Sequence, residues 1–211
     1  MGTIALFGAT GKTGGLVLER ALAAGHDLRV LVRDPGKLST ATGPQLAVIK
    51  GDVLDADRVD RTVVGADAVL SLFGHGSGSP KRLQSDGTRL IVEAMHRHGV
   101  KRLVSLSGGG LRDQEDRPKL ADRAIRLLLR MMAGQVLSDA EGHLRVLQDS
   151  GLDWTVVRAP RLLETPATGS YRVGRVGVNA STKISRADFA DFVLSQVEDR
   201  SFLRQMPFVS A

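Results

Sequence analysis

The stretch LFGATGKTGG, residues 6–15, constrains the fold more than any other part of the chain. An apolar run of strand character, Ile4 to Phe7, stops at Gly8, and a helical pattern begins near Thr13. Three glycines fall at i, i+3 and i+6: Gly8, Gly11 and Gly14. Gly8 permits a tight turn, Gly11 lets backbone N–H groups approach an anion, and Gly14 lets the helix lie close to the strand. The helix N-terminus then faces a pyrophosphate. Thr10, Lys12 and Thr13 complete the loop expected around it. The spacing G-x-x-G-x-x-G differs from the common G-x-G-x-x-G. It is not a P-loop either, because Gly11-Lys12-Thr13 has no glycine five residues earlier. A purely structural glycine turn is the alternative.

Beyond the loop the same strand–helix unit repeats. Apolar runs recur at Leu28–Val32, Ala47–Ile49, Ala68–Phe73, Arg102–Leu106 and Trp154–Val157. Near-continuous apolar runs are the mark of parallel strands buried on both faces. Helical patterns lie between them, and three of these end at Gly25, Gly99 and Gly151, positioned as C′ glycines. This order predicts an α/β fold with a doubly wound parallel sheet. The length of 211 residues suits a single domain, and 42% apolar residues suffice for its core. The rhythm breaks over about 161–183, which reads as a loop-rich C-terminal cap with one or two short strands. A helix then opens at Ser185 as N-cap, with Phe189, Phe192 and Val193 inward.

Composition removes several classes of chemistry. There are no cysteines, so disulfides, thiolate nucleophiles and cysteine-ligated zinc are excluded. The five histidines show no metal-ligand spacing; His96 and His98 stand at i, i+2 and cannot share a helix face. No apolar run approaches the ~18 residues that would cross a bilayer. The N-terminus enters a strand without a charged leader, so the expectation is a cytoplasmic chain without membrane attachment. The net charge of +6 admits anionic partners, but only 4% of residues are aromatic. That argues against a nucleic-acid surface, which needs stacking platforms.

The ends of the next strands suggest which ligand the loop holds. In LVRDP, Arg33 stands about 20 residues beyond the glycines, where an acidic residue would bind the ribose hydroxyls of NAD. An arginine there suits the 2′-phosphate of NADP, and Lys37 adds charge. Asp34 is the competing NAD-type acid. Neighbours on a strand point to opposite faces, so one of the two faces the cofactor, and Arg33 is favoured. In GDVLD, Asp52 and the Val53 backbone fit the adenine, with helix capping by Asp52 or Asp55 as the alternative. SLFGHG brings Phe73 and Gly74 past the middle of the cofactor. His75 in the same loop is either a substrate contact or an exposed loop histidine.

Taken together, GATGKTG, Arg33 in LVRDP, GDVLDAD, SDGTRLIVEAMHRHGVKRLVSLS and SGLDWTVVRAP resemble atypical short-chain dehydrogenase/reductases. The chain looks most like the NAD(P)H-binding family that contains biliverdin reductase B, also called flavin reductase, with NmrA-like proteins further off. The resemblance spans nearly the whole chain and thins over about 111–135. It implies a single Rossmann-type domain over 1–211 that binds NADP(H). The Tyr-x-x-x-Lys pair of short-chain dehydrogenases is missing: the one tyrosine, Tyr171, is followed by RVGR.

The resemblance therefore implies an NADPH-dependent reductase that passes hydride directly to a flavin-like or conjugated small molecule. The alternative is a non-catalytic NADP(H)-binding redox sensor, NmrA-like, acting through a protein partner. By the same resemblance Ser107 lies beside the nicotinamide, as its one polar side chain or as a turn cap. Pro160 flanks the ring. Gly108 and Arg161 take the places of the family's acceptor-pocket serine and histidine, with His75 nearby. The glycines at 108–110 would leave an open, floppy floor, and Arg161 would favour an acceptor bearing a carboxylate or phosphate. Lys119, Arg123, Arg126 and Arg130 form a basic stripe on a helix with apolar residues beside it. That stripe is a solvated face, an anion-attracting lid or a docking face.

Overall fold

A computed structural model describes residues 2–38 and 43–211. The chain runs β1 (Thr3–Phe7), α1 (Lys12–Ala23), β2 (Asp27–Val32), a 3-10 turn (Pro35–Lys37), β3 (Leu46–Lys50), α2 (Ala56–Val63) and β4 (Ala68–Ser71). It continues through α3 (Leu83–His98), β5 (Arg102–Gly108), α4 (Leu120–Asp149), β6 (Asp153–Ala159), β7 (Arg161–Leu163), β8 (Arg172–Gly174), β9 (Lys183–Ser185), α5 (Arg186–Ser195) and β10 (Phe208–Ser210).

Eight strands form one sheet in the order β3-β2-β1-β4-β5-β6-β10-β8, and every pairing except β10–β8 is parallel. The order reverses between β1 and β4, which is the switch point where open α/β sheets bind ligands beyond the carboxyl ends of their strands. The glycine loop leaves β1 at that point. Both faces are covered. Ile4 and Leu6 join the core under α1 and α5, while Ala5 and Phe7 join the core under α2, α3 and α4. This two-sided burial is why the strands read as unbroken apolar runs.

The helix stops are as the sequence predicts. Gly25, Gly99 and Gly151 have φ of 82°, 69° and 68°, the left-handed region that a side chain disfavours. Ser185 caps α5 by accepting from Ala187 N and Asp188 N, and Phe189, Phe192 and Val193 are buried. The fourth apolar run is shorter as a strand than as a pattern. Pairing ends at Ser71, and Leu72 N then donates to Phe7 O at 2.8 Å. The cap holds three short strands, of which β7 and β9 pair with each other and β8 extends the main sheet through β10. Among the described residues, no helix is long and apolar enough to cross a membrane.

The segment 120–149 is one helix broken at Ala133, whose φ of −137° and ψ of 34° are not helical. The C-terminal part is packed, with Ala140, Leu144 and Leu147 in the core. The N-terminal part is not. Leu120, Met131 and Met132 are each about four-fifths exposed, and Leu127 and Leu128 are also exposed. The apolar residues beside the basic stripe therefore lie largely in solvent.

Candidate active site

The glycine loop is shaped by its backbone. Gly8 has φ 91°, and a Cβ there would stand 2.6 Å from Leu72 C and Phe73 N. Gly11 N donates to Gly8 O at 3.0 Å, closing the turn. A Cβ on Gly14 would land on the Gly8 carbonyl oxygen, so α1 lies as close to β1 as a helix without a side chain can. Gly11 is the N-cap of α1, with no side-chain cap and no acidic residue in the first turn. The positive end of the helix is left to an anion. Thr10, Gly11 and Lys12 are exposed around it, and Thr13 is buried.

The cap reaches this loop. Arg186 Nη1 donates to Thr13 Oγ1 at 2.9 Å, and its guanidinium grips Glu164 with Nη2–Oε1 at 2.9 Å. Lys12 Nζ lies 3.0 Å from the same carboxylate. Hydrogen bonds from Arg186 and then Lys12 hold the Glu164 carboxyl below its ordinary range. Lys12, expected on the pyrophosphate, is thus paired across the cleft to the cap. Arg186 is not legible as a site residue in the sequence: it is 173 positions from Thr13, and local pattern marks it only as the start of a helix.

At the end of β2, Asp34 Oδ1 accepts from Gly36 N at 3.1 Å and so caps its own 3-10 turn. Lys37 stands 4.0 Å from its other oxygen. Arg33 is exposed beside it. At the end of β3, Asp55 and not Asp52 caps α2, accepting from Asp57 N and Arg58 N. Asp52 instead accepts from Leu54 N at 2.9 Å, an Asx turn that fixes the loop after β3. Val53 and Phe73 press on α3 at Gly87, where a Cβ would come within 2.9 Å of Phe73.

Phe73, Gly74, His75, Ser107 and Gly108 line one cavity of about 360 Å³ at the ends of β4 and β5. Among the described residues nothing hydrogen-bonds the Ser107 hydroxyl, so it does not cap a turn. His75 corrects the exposed-loop expectation. Its side chain is 13% exposed, and Nε2 lies 2.8 Å from Asp139 Oδ2. The cause is the start of α3. Asp139 accepts there from Gln84 N, Ser85 N and Ser85 Oγ, and the imidazole closes on the anion so fixed. Burial pulls the Asp139 carboxyl upward, but these hydrogen bonds outweigh it and hold it below the carboxylate range. Beneath the floor, His143 is bonded by Thr88 Oγ1 at 2.8 Å and Ser105 Oγ at 3.0 Å. Burial pushes this imidazole down to about 4.

Gly108, Pro160 and Arg161 line a second, larger cavity of about 480 Å³, with Ile125, Arg126 and Phe208. Its glycine floor is hydrogen-bonded on both sides. Gly109 N donates to Ala159 O at 2.9 Å, Leu111 N to Gly108 O at 3.1 Å, and Arg126 Nε to Gly110 O at 3.2 Å. A Cβ on Gly109 would meet the Phe208 ring at 2.9 Å. Behind the floor, Arg158 is fully buried. It binds Asp116 at 2.7 and 2.9 Å, Leu111 O at 2.9 Å and Met206 O at 3.0 Å, with its guanidinium 5.9 Å from the Phe208 ring centre. One arginine thus ties the loop after β5 to β10. The basic stripe is also divided: Lys119, Arg123 and Arg130 are exposed, while Arg126 turns inward to the glycine floor.

The chain matches the NAD(P)H-binding family model over residues 8–200. The Bacillus subtilis protein YwnB is 27% identical over 208 residues, covering 92% of each chain. A short-chain dehydrogenase/reductase from Veillonella parvula, solved in complex with NADP, superposes with a TM-score of 0.79 at 19% identity, over 100% of this chain and 95% of its own. ChuY of Escherichia coli O157:H7, an anaerobillin reductase, superposes with a TM-score of 0.78 at 22% identity, over 99% and 96%.

Proposed function

This chain belongs to the NAD(P)H-binding family, and from that premise we propose that it is an NADPH-dependent reductase that hands hydride directly to a flavin-like or conjugated acceptor. The observation that carries the proposal is the placing of two things at one sheet edge. An uncapped helix start follows the glycine turn of β1. Across β4, on the same carboxyl side of the sheet, cavities with Ser107 in one and Pro160 in the other share Gly108 at the end of β5. A dinucleotide laid along that edge has its pyrophosphate at Gly11 and its nicotinamide end at Ser107 and Pro160. Arg33 then meets the 2′-phosphate, since the Asp34 carboxylate is held by its own turn. Asp52, Val53, Phe73 and Gly74 line the path between.

The sequence holds no Tyr-x-x-x-Lys pair. A ketone acceptor needs such a proton donor, whereas an acceptor that spreads the incoming charge over a conjugated system does not. Proximity and stacking then supply most of the rate. When bound, NADPH supplies the hydride. The chain holds the ring between Pro160 and the β5 end, orients it through the free Ser107 hydroxyl, and leaves the larger cavity for the acceptor. The Veillonella complex with NADP and the reductase ChuY share this fold, which supports the reading. The kinetic isotope effect of NADPH deuterated at C4, with FMN as acceptor under anaerobic conditions, tests it. Direct transfer predicts slower turnover with the deuterated cofactor in single-turnover measurements; FMN reduction at the same rate with both cofactors would contradict it.

A further inference from the structure

The larger cavity has a neighbour on the α4 side. A second chamber of about 200 Å³ adjoins it, and the two share Gly109, Asp122, Arg126 and Val176 in their walls. The chambers differ in chemistry. The inner one is bounded by Ile125, Ala159, Pro160 and Phe208. The outer one is lined by four arginines, Arg112, Arg123, Arg126 and Arg130, with Asp116 and Asp122 beside them.

The carboxylates near these arginines leave three of the four without a partner among the described residues. Asp116 is taken by Arg158 on both oxygens and also accepts from Asp113 N and Val176 N. Asp122 accepts from Lys119 N at 2.8 Å at the start of α4. Glu141, which lines neither chamber, pairs with Arg126 at 3.4 Å. Among the described residues, no carboxylate pairs with Arg112, Arg123 or Arg130. Burial, then the charge of Arg112, then that of Arg130, push the Arg126 guanidinium below its ordinary value, with Glu141 acting against them. Like charges gathered in one recess raise each other's energy, and an anion among them relieves it. Guanidinium groups match phosphate geometry with paired N–H donors.

We propose that the outer chamber is a phosphate subsite of the acceptor pocket, so that the ligand is an amphiphile with a flat apolar body beside Pro160 and a phosphate tail among Arg112, Arg123, Arg126 and Arg130. This rests on the larger cavity being the acceptor site. It moves the recognition of the acid from Arg161, which borders only the inner chamber, to α4. It also gives the inward turn of Arg126 a purpose, because one side chain serves the walls of both chambers.

The test is equilibrium binding, with no turnover required. FMN and riboflavin carry the same ring and differ in the phosphate, and both report binding through flavin fluorescence with NADP⁺ present. The double variant Arg123→Gln/Arg130→Gln removes two exposed arginines that have no carboxylate partner among the described residues. FMN should bind at least about ten-fold more tightly than riboflavin, the scale of charge-assisted hydrogen bonds. The double variant should abolish that margin and leave riboflavin unchanged, and inorganic phosphate should compete with FMN alone. Equal affinities in the wild type, a margin that survives the double variant, or a margin lost only in Arg161→Gln would each overturn the subsite. Failure to bind either flavin would overturn it too. The reductase reading is judged separately, by turnover with an uncharged quinone.

Discussion

In the proposed function, Arg33 is the residue on which cofactor choice turns. It is exposed at the end of β2, and its neighbour Asp34 is held in its own turn. Charge-assisted hydrogen bonds to a phosphate are worth about 1.5–3 kcal/mol. Arg33→Asp should therefore weaken NADPH by roughly ten-fold or more and NADH little, in parallel titrations. Equal losses for both would remove Arg33 from the 2′-phosphate. The glycine turn and Arg33 are legible in the sequence because each is encoded within a few positions of a strand end. His75–Asp139, Arg158–Asp116 and Arg186–Thr13 are not, since each joins residues at least 42 positions apart. No local pattern marks a partner at that range, so nothing around His75 in the sequence separates a buried, paired imidazole from an exposed one.

The cap and α4 carry the predictions at the level of elements. α5 opens with Arg186, which spans Glu164 on the cap side and Thr13 on the glycine loop. Arg186→Ala should loosen that closure. With about 1 kcal/mol for a part-exposed hydrogen-bonded contact, the Kd for NADP⁺ should rise about five-fold while the melting temperature moves little. An unchanged Kd would mean that the contact only anchors the cap. The long strands are readable because their burial on both faces shows in the sequence. Of β7 to β10 the sequence shows only one or two short strands in the cap, because each has three residues and borrows its register from a partner. The basic stripe is readable as a helix face. Its division into one inward and three outward residues depends on the glycine floor that Arg126 meets.

For the whole molecule, acid stability depends on groups buried between the sheet and its helices. His143 is held neutral, with its titration near 4 instead of 6.5. Between those two pH values the unfolded chain binds a proton that the folded chain does not, so stability falls as pH falls through that window. At about 1.4 kcal/mol per pH unit, the loss from pH 6.5 to 5 is roughly 2 kcal/mol. Asp116 and Asp139 have lowered values, so their stabilisation is present above the ordinary carboxylate range and is lost only at lower pH. Thermal unfolding of wild type and His143→Gln at pH 7 and 5 should show a smaller acid loss in the variant; parallel losses would place the effect elsewhere.

The proposed reductase activity rests on the carboxyl ends of β1 and β5, where the glycine loop and the cavities with Ser107 and Pro160 lie. Its most direct test is anaerobic oxidation of NADPH, followed by absorbance, with FMN, riboflavin, biliverdin and a small quinone offered in turn and NADH run in parallel. The proposed function predicts turnover with at least one conjugated acceptor, faster with NADPH than with NADH. Tight NADPH binding with no oxidation by any of the four would contradict it, and would leave a cofactor-binding sensor as the function of this fold.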